Sequence, residues 1–297
     1  MQDRIVNEIT DMNTTKIGWI GLGKMGVPMS DNLIKAEYAL TVYNRSKDKE
    51  NELTIKGART ASSPASLIEQ SDVVIVMVSD DRAIHDIFLG DAGLLSAETS
   101  GKIIINMSTV SSAISKEMSI LCSNHDNHYL DAPVSGSVKQ AETAQLVIMV
   151  GGEENVYERV KEIFEKLGKL TLLVGGVGAG NAAKLAVNSM IGFYTQGLAE
   201  AVVFAKKNNI KVEDFLTIIN NGALANLYTK TKGEAILNNN FEPAFYLKHI
   251  RKDLGLALDQ GLNTPLGEAA YESFRQAEKK LGDQDLIAII KHLEQPE

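Results

Sequence analysis

The chain has 297 residues, 44% hydrophobic and 23% charged, with a net charge of −8; it is long enough to bury a core, and it lacks the basic stripe of a nucleic-acid surface. Its single cysteine, Cys122, excludes an internal disulfide, and no apolar run approaches the roughly 18 to 20 residues of a membrane span. The polar, mixed-charge stretch 1–15 has no signal-peptide core, so a cytoplasmic protein with small-molecule partners is expected, with 1–15 an N-terminal extension outside the fold.

The first predicted strand, 17–20, runs into Gly21-Leu22-Gly23-Lys24-Met25-Gly26 and then a helix-compatible stretch through Ala36. A strand turning through Gly-x-Gly-x-x-Gly into a helix directs free N–H groups at a pyrophosphate, and Thr41-Val42-Tyr43 supplies the next strand of a β-α-β unit. A bound dinucleotide is predicted. The second strand ends in Asn44-Arg45-Ser46, without the acid that would hold an adenosine ribose in an NAD enzyme. Arg45, about 20 residues past the glycines, can instead pair with a 2′-phosphate, helped by Asn44 and the Ser46 hydroxyl. The expected cofactor is therefore NADP, with NADPH preferred over NADH; the alternative is a solvated arginine at a helix start.

Further strands are predicted at 73–78, 103–107, 129–131, 146–150 and 171–174, separated by stretches of helical character. The runs 73–78 and 103–107 are almost wholly apolar, as strands covered on both faces of a parallel sheet should be. Helix starts are predicted at Ser46 and at Ser63-Pro64. After Gly175-Gly176-Val177-Gly178-Ala179-Gly180 the pattern becomes helical: a long segment over 181–208, then 212–221, 227–237, 246–260, 266–281 and 286–293, with 238–243 a polar loop. The fold class expected is α/β, a doubly wound Rossmann-type domain over 16–177 joined through a long helix to an all-α domain over 178–297.

Asp131-Ala132-Pro133-Val134-Ser135-Gly136-Ser137 leaves a strand towards a helix, so its N–H groups and the Ser135 and Ser137 hydroxyls can bind a carboxylate; an ordinary turn uses the same residues. Lys184 and Asn188 are four apart and share a helix face. Lysine can protonate a carbonyl oxygen as hydride reaches its carbon, and asparagine can hold that oxygen or orient the ammonium. Such a pair is ordinarily a solvated face, but Ala182, Ala183, Leu185, Ala186 and Val187 leave little other polar surface around it. Lys248-His249-Ile250-Arg251-Lys252-Asp253 is, by itself, a basic helix face. His125 and His128 have no ligand partners at recognisable spacing, so no metal is expected.

Taken together, from about Lys16 to the C-terminus, the sequence resembles the β-hydroxyacid dehydrogenase family, which includes 3-hydroxyisobutyrate dehydrogenases and 6-phosphogluconate dehydrogenase-like folds. The resemblance rests on four motifs in order: the glycine loop 21–26, Asp131 to Ser137, Gly178-Ala179-Gly180-Asn181-Ala182-Ala183-Lys184-Leu185-Ala186-Val187-Asn188, and Lys252-Asp253-Leu254. It implies Lys184 as general acid/base supported by Asn188, Ser135 and Gly136 at the substrate carboxylate, Val78, Ser79 and Thr109 along the nicotinamide, and Lys252 at the cofactor. Ser137 departs from the second glycine usual in the substrate loop. Asn44-Arg45-Ser46 and the stretch 241–249 look most like the NADPH-dependent glyoxylate/succinic semialdehyde reductase branch, which implies that Phe245 and Asp253 also border the substrate. Alternatives are a 3-hydroxyisobutyrate-type dehydrogenase, an imine reductase or a noncatalytic NADP-binding protein. The family also implies a homodimer or homotetramer.

Overall fold

A computed structural model describes residues 15–294; the extension expected over 1–15 lies outside them save for its last residue. The chain divides into two compact units, one ending at Lys184 and the other beginning at Leu185.

The first unit alternates strands and helices: β1 (Lys16–Ile20), α1 (Gly26–Lys35), β2 (Ala39–Tyr43), α2 (Asn51–Thr54), β3 (Arg59–Thr60), α3 (Pro64–Glu69), β4 (Val73–Val76), α4 (Asp81–Leu89), β5 (Ile103–Asn106), α5 (Ser112–Ser123), β6 (His128–Asp131), β7 (Val134–Ser135), α6 (Val138–Glu142), β8 (Leu146–Gly151), α7 (Glu154–Glu165) and β9 (Gly168–Gly175). Strands β3-β2-β1-β4-β5-β6 lie side by side in parallel. Strands β6 and β7 share one antiparallel register along β8, and β9 pairs β8 in parallel. The chain order reverses between β1 and β4, which opens a crevice beyond their C-terminal ends where such sheets bind dinucleotides.

Strand alternation builds two cores. Ile17, Trp19, Val73, Ile75, Ile103 and Ile105 pack with Met29 and Leu33 of α1 and Val160 and Phe164 of α7. Their neighbours Ile20, Val74, Val76 and Ile104 pack on the other side with Leu67, Phe88 and Met118 of α3, α4 and α5. Both faces are covered, so β4 and β5 are buried and apolar throughout.

Some predicted bounds shift for local reasons. The strand expected over 73–78 stops at Val76, Met77 adding one bond to Ile20 O at 2.8 Å before the chain turns into the crevice. The helix expected from Ser46 is a 3-10 turn, Lys47–Glu50, followed by the short α2. Ser63 does cap α3, accepting from Ser66 N at 3.1 Å ahead of Pro64. Strands β3 and β7 have two residues each, too few to show alternation.

The second unit is helical: most of α8 (Ala179–Lys207), then α9 (Val212–Asn221), α10 (Leu227–Leu237), α11 (Leu247–Asp259), α12 (Pro265–Leu281) and α13 (Ile289–Glu294), the last entered through a 3-10 turn at Leu286–Ala288. Its core joins Leu198, Val202, Leu216, Ile250, Leu254, Phe274 and Ile287. A Cβ on Gly192 would stand 3.2 Å from Leu254 Cδ1, so this glycine inside α8 permits close approach of α11 rather than breaking the helix. No helix among the described residues is long and apolar enough to cross a membrane.

Candidate active site

The glycine loop sits at the reversal point. Gly21 has φ +98°, and a Cβ there would lie 2.1 Å from Met77 O; one on Gly26 would lie 2.0 Å from Gly21 O. Gly23 faces open space, with nothing within 4 Å of its ideal Cβ. Helix α1 begins with neither a side-chain cap nor an acid in its first turn. Two glycines thus permit a tight turn, the third leaves room for a close ligand, and an uncapped helix start is available to an anion; these residues fit a dinucleotide pyrophosphate. Lys24 is exposed and Met25 half-buried in the same loop.

Asn44 is tied to the loop itself. Its Oδ1 accepts from Leu22 N at 2.9 Å and its Nδ2 donates to Ser46 O at 2.8 Å. The buried Glu50, not singled out from the sequence, accepts from Asn44 N at 2.8 Å and from Lys47 Nζ at 2.9 Å. This network orders the turn that carries exposed Arg45 and Ser46. An acid seven residues past the strand is the only sequence signal for it.

Val78, Ser79 and Thr109 follow β4 and β5 on the same edge of the sheet as the glycine loop. Val78 N donates to the fully buried Ser108 Oγ at 2.9 Å, and Ser79 Oγ donates to Asp80 Oδ2 at 2.7 Å. Asp80 also caps α4 through Ala83 N, fixing the direction of this segment.

The stretch 131–137 does two jobs. Asp131, fully buried, accepts from Gly178 N at 2.7 Å and from Asn181 N at 2.8 Å. Burial pushes its carboxyl above the usual range, against the opposing pull of those N–H groups. Asn181 in turn accepts from Val110 N at 3.0 Å and donates to Ser115 Oγ at 3.2 Å. The first turn of α8, which leads to Lys184, is therefore bolted to the sheet. Asp131 and Asn181 stand within the sequence motifs, but their task there is not local; an acid closing a buried strand and an asparagine in a small-residue helix start are the available signals. Ser135 pairs with Val147 on β8, and Gly136 has φ +148° with Leu146 Cδ2 2.7 Å from an ideal Cβ. Both Ser137 N and Ser137 Oγ donate to Gln140 Oε1, so this serine caps α6.

Lys184 is half-buried on α8, and Asn188, one turn on, is buried. Within the second unit Asn188 Nδ2 donates to Asp253 Oδ2 at 2.6 Å, and Lys252 Nζ lies 3.3 Å from Asp253 Oδ1, near enough for an ion pair though out of line for a hydrogen bond. Of the rest of the basic stretch, Lys248 pairs with Asp283 at the surface, Arg251 with the half-buried Glu278, and His249 meets the rings of Phe245 and Tyr246. Phe245 is half-buried, and its N–H and that of Ala244 reach Asp285 Oδ2 at 3.3 and 3.1 Å. Asp285 is itself buried against Lys232 Nζ, at 2.7 and 2.9 Å. Neither residue of that pair was identified from the sequence.

Residues 16–176 match the family model described as the NAD binding domain of 6-phosphogluconate dehydrogenase, and residues 178–293 match the NAD-binding domain of NADP-dependent 3-hydroxyisobutyrate dehydrogenase. Glyoxylate/succinic semialdehyde reductase 1 of Arabidopsis thaliana is 36% identical over 281 residues, 93% of this chain and 97% of that protein. Cytokine-like nuclear factor N-PAC of Bos taurus is 35% identical over 96% of this chain, which spans only 53% of that longer protein. A structure of Mycobacterium tuberculosis 3-hydroxyisobutyrate dehydrogenase with L-serine superposes with a TM-score of 0.87 at 29% identity, covering 95% of this chain and 99% of that one.

Proposed function

Because the chain belongs to the β-hydroxyacid dehydrogenase family, we propose that it is an NADP(H)-dependent reductase of a small aldehyde-bearing carboxylate, of the succinic semialdehyde or glyoxylate type. The observation that carries this reading is Lys184, half-buried on a helix whose start is fastened by Asp131 and Asn181, one turn before the buried Asn188. A binding protein has no use for an ammonium held in that way. When bound, NADPH supplies the hydride for the aldehyde carbon. Lys184 gives its proton to the oxygen as charge develops there, and Ser135 and Gly136 hold the carboxylate. Ser137, both of whose donors go to Gln140, orders that loop. Arg45 and Ser46 take the 2′-phosphate that separates NADPH from NADH. The plant reductase's name supports the substrate class, and the mycobacterial structure supports a second reading, oxidation of a 3-hydroxyisobutyrate-type acid. We place the protein in the cytoplasm as a homodimer or homotetramer.

The test is turnover of NADPH and NADH with succinic semialdehyde, glyoxylate, tartronate semialdehyde and methylmalonate semialdehyde, followed by nicotinamide absorbance. Lys184→Ala should lower kcat by about 10²- to 10⁴-fold with NADPH binding retained. A wild type that binds NADPH but reduces none of the four aldehydes makes it a noncatalytic binder, and full activity in Lys184→Ala removes the assigned acid.

A further inference from the structure

A ring of buried hydrogen bonds closes on Thr109. Ser108 N donates to Asn106 Oδ1 at 3.0 Å, Asn106 Nδ2 donates to the Tyr129 hydroxyl at 3.0 Å, and a hydrogen bond joins that hydroxyl to Ser115. Asn181 Nδ2 donates to Ser115 Oγ at 3.2 Å, and Asn181 Oδ1 accepts from Val110 N at 3.0 Å. The main chain from Ser108 through Thr109 to Val110 completes the circuit. Asn106, Ser108, Ser115 and Asn181 are fully buried, and Tyr129 is 4% exposed with its ring edge-on to Phe88. A backbone N–H has only a donor to offer, so each asparagine must turn its oxygen to the main chain and its nitrogen to a hydroxyl. The ring therefore has one polarity, and the Tyr129 and Ser115 hydroxyls are the acceptors that keep both buried amide nitrogens satisfied.

All members of the ring belong to the first unit. Within 107–110 Thr109 alone is half-buried, and its neighbours are buried. Ser108 Oγ also accepts from Val78 N at 2.9 Å, so the segment after β4 is tied to the same ring. We infer that Tyr129 and Ser115 are positioning residues for the nicotinamide: through Asn106 and Asn181 they hold the chain on both sides of Thr109, and through Ser108 they hold Val78. Both act through the ring, not on the cofactor. A closed ring restrains its two flanks together, and opening it at either hydroxyl releases both. The ligand that Thr109 and Val78 face rests on the NADP(H) reading above; the ring does not.

Tyr129→Phe and Ser115→Ala each remove one hydroxyl from the ring, and the phenylalanine keeps the contact with Phe88. Ser115→Ala places the best helix former in α5 and carries the test even if Tyr129→Phe folds poorly. The measurement is the Kd, by titration calorimetry, of NADPH and of 2′-phospho-ADP-ribose, which keeps the pyrophosphate and the 2′-phosphate and lacks the nicotinamide. Each variant should raise the Kd of NADPH about fivefold and that of the fragment less than about twofold. A merely structural loosening would weaken both ligands alike. The double variant should match the weaker-binding single variant to within about twofold, because a ring already open cannot be opened again. Equal weakening of both ligands, an unchanged Kd for NADPH, or losses that multiply in the double variant overturn the assignment. Turnover of the four aldehydes keeps the two readings apart. A wild type that reduces one of them, with variants that bind NADPH as it does, overturns the role of the ring and leaves the reductase. A wild type that reduces none, with variants that show the expected split between NADPH and the fragment, overturns only the reductase reading.

Discussion

Gly21, Gly23 and Gly26 carry one motif but meet different physical demands, and substitution separates them. Gly26→Ala drives a Cβ to 2.0 Å from the Gly21 carbonyl, a backbone atom that cannot swing aside; it should lower Tm visibly, at a cost of about 1 to 3 kcal/mol. Gly23→Ala meets nothing in the protein, so Tm should hold while NADPH affinity, followed by its fluorescence, falls. A Gly23→Ala protein that binds NADPH normally would show that the open space is not the pyrophosphate's. Arg45 admits an equally direct test. It is exposed beside a turn ordered by Asn44 and Glu50, and Arg45→Asp should reduce the NADPH/NADH ratio of kcat/KM by about tenfold to a hundredfold, the worth of a charged hydrogen bond. An unchanged ratio removes Arg45 from the 2′-phosphate. These residues were legible in the sequence because the glycine loop and the strand-end triplet are each local. Glu50 was not, since its burial depends on how the 3-10 turn folds back.

Elements are held by buried charges whose partners lie far along the chain. Lys232 of α10 and Asp285 form an ion pair with side chains 10% and 3% exposed, and Asp285 also accepts from Ala244 N, Phe245 N and Ile287 N. One carboxylate thus fixes the loop that carries Phe245 and the 3-10 turn that leads into α13. Lys232→Met leaves that carboxylate buried without its cation. The expected cost is about 3 to 5 kcal/mol, seen as a fall in Tm on the order of ten degrees; a fall of a degree or two would show that the three N–H donors suffice. The helices themselves were well predicted, α9 and α10 at their observed bounds, because the glycine and asparagines that flank them, Gly222, Asn226 and Asn238, are local signals. The ion pair had no such signal: a lysine and an aspartate in polar surroundings look solvated until the fold encloses them.

Over the whole molecule, the two rarest residues both report on the first unit. Trp19 is the only tryptophan and fully buried, with its indole N–H on Gly21 O at 3.0 Å. Cys122 is the only cysteine, and burial pushes its thiol up to about 12. Cys122 should therefore resist alkylation at neutral pH, and across a denaturant series thiol labelling and tryptophan fluorescence should share one midpoint. Labelling without a fluorescence change would reveal a local opening around α5. The sequence by itself determined the alternation of strand and helix, the two-sided core, the glycine turn and the order of the four motifs, because each depends on neighbours within a turn or a strand. Only the tertiary structure decided that Asp131 fastens the start of α8 from 47 and 50 residues away, and that Asp253 meets Asn188 from 65. A buried polar group must find a partner, but nothing in its own neighbourhood of the chain says which one the fold will bring.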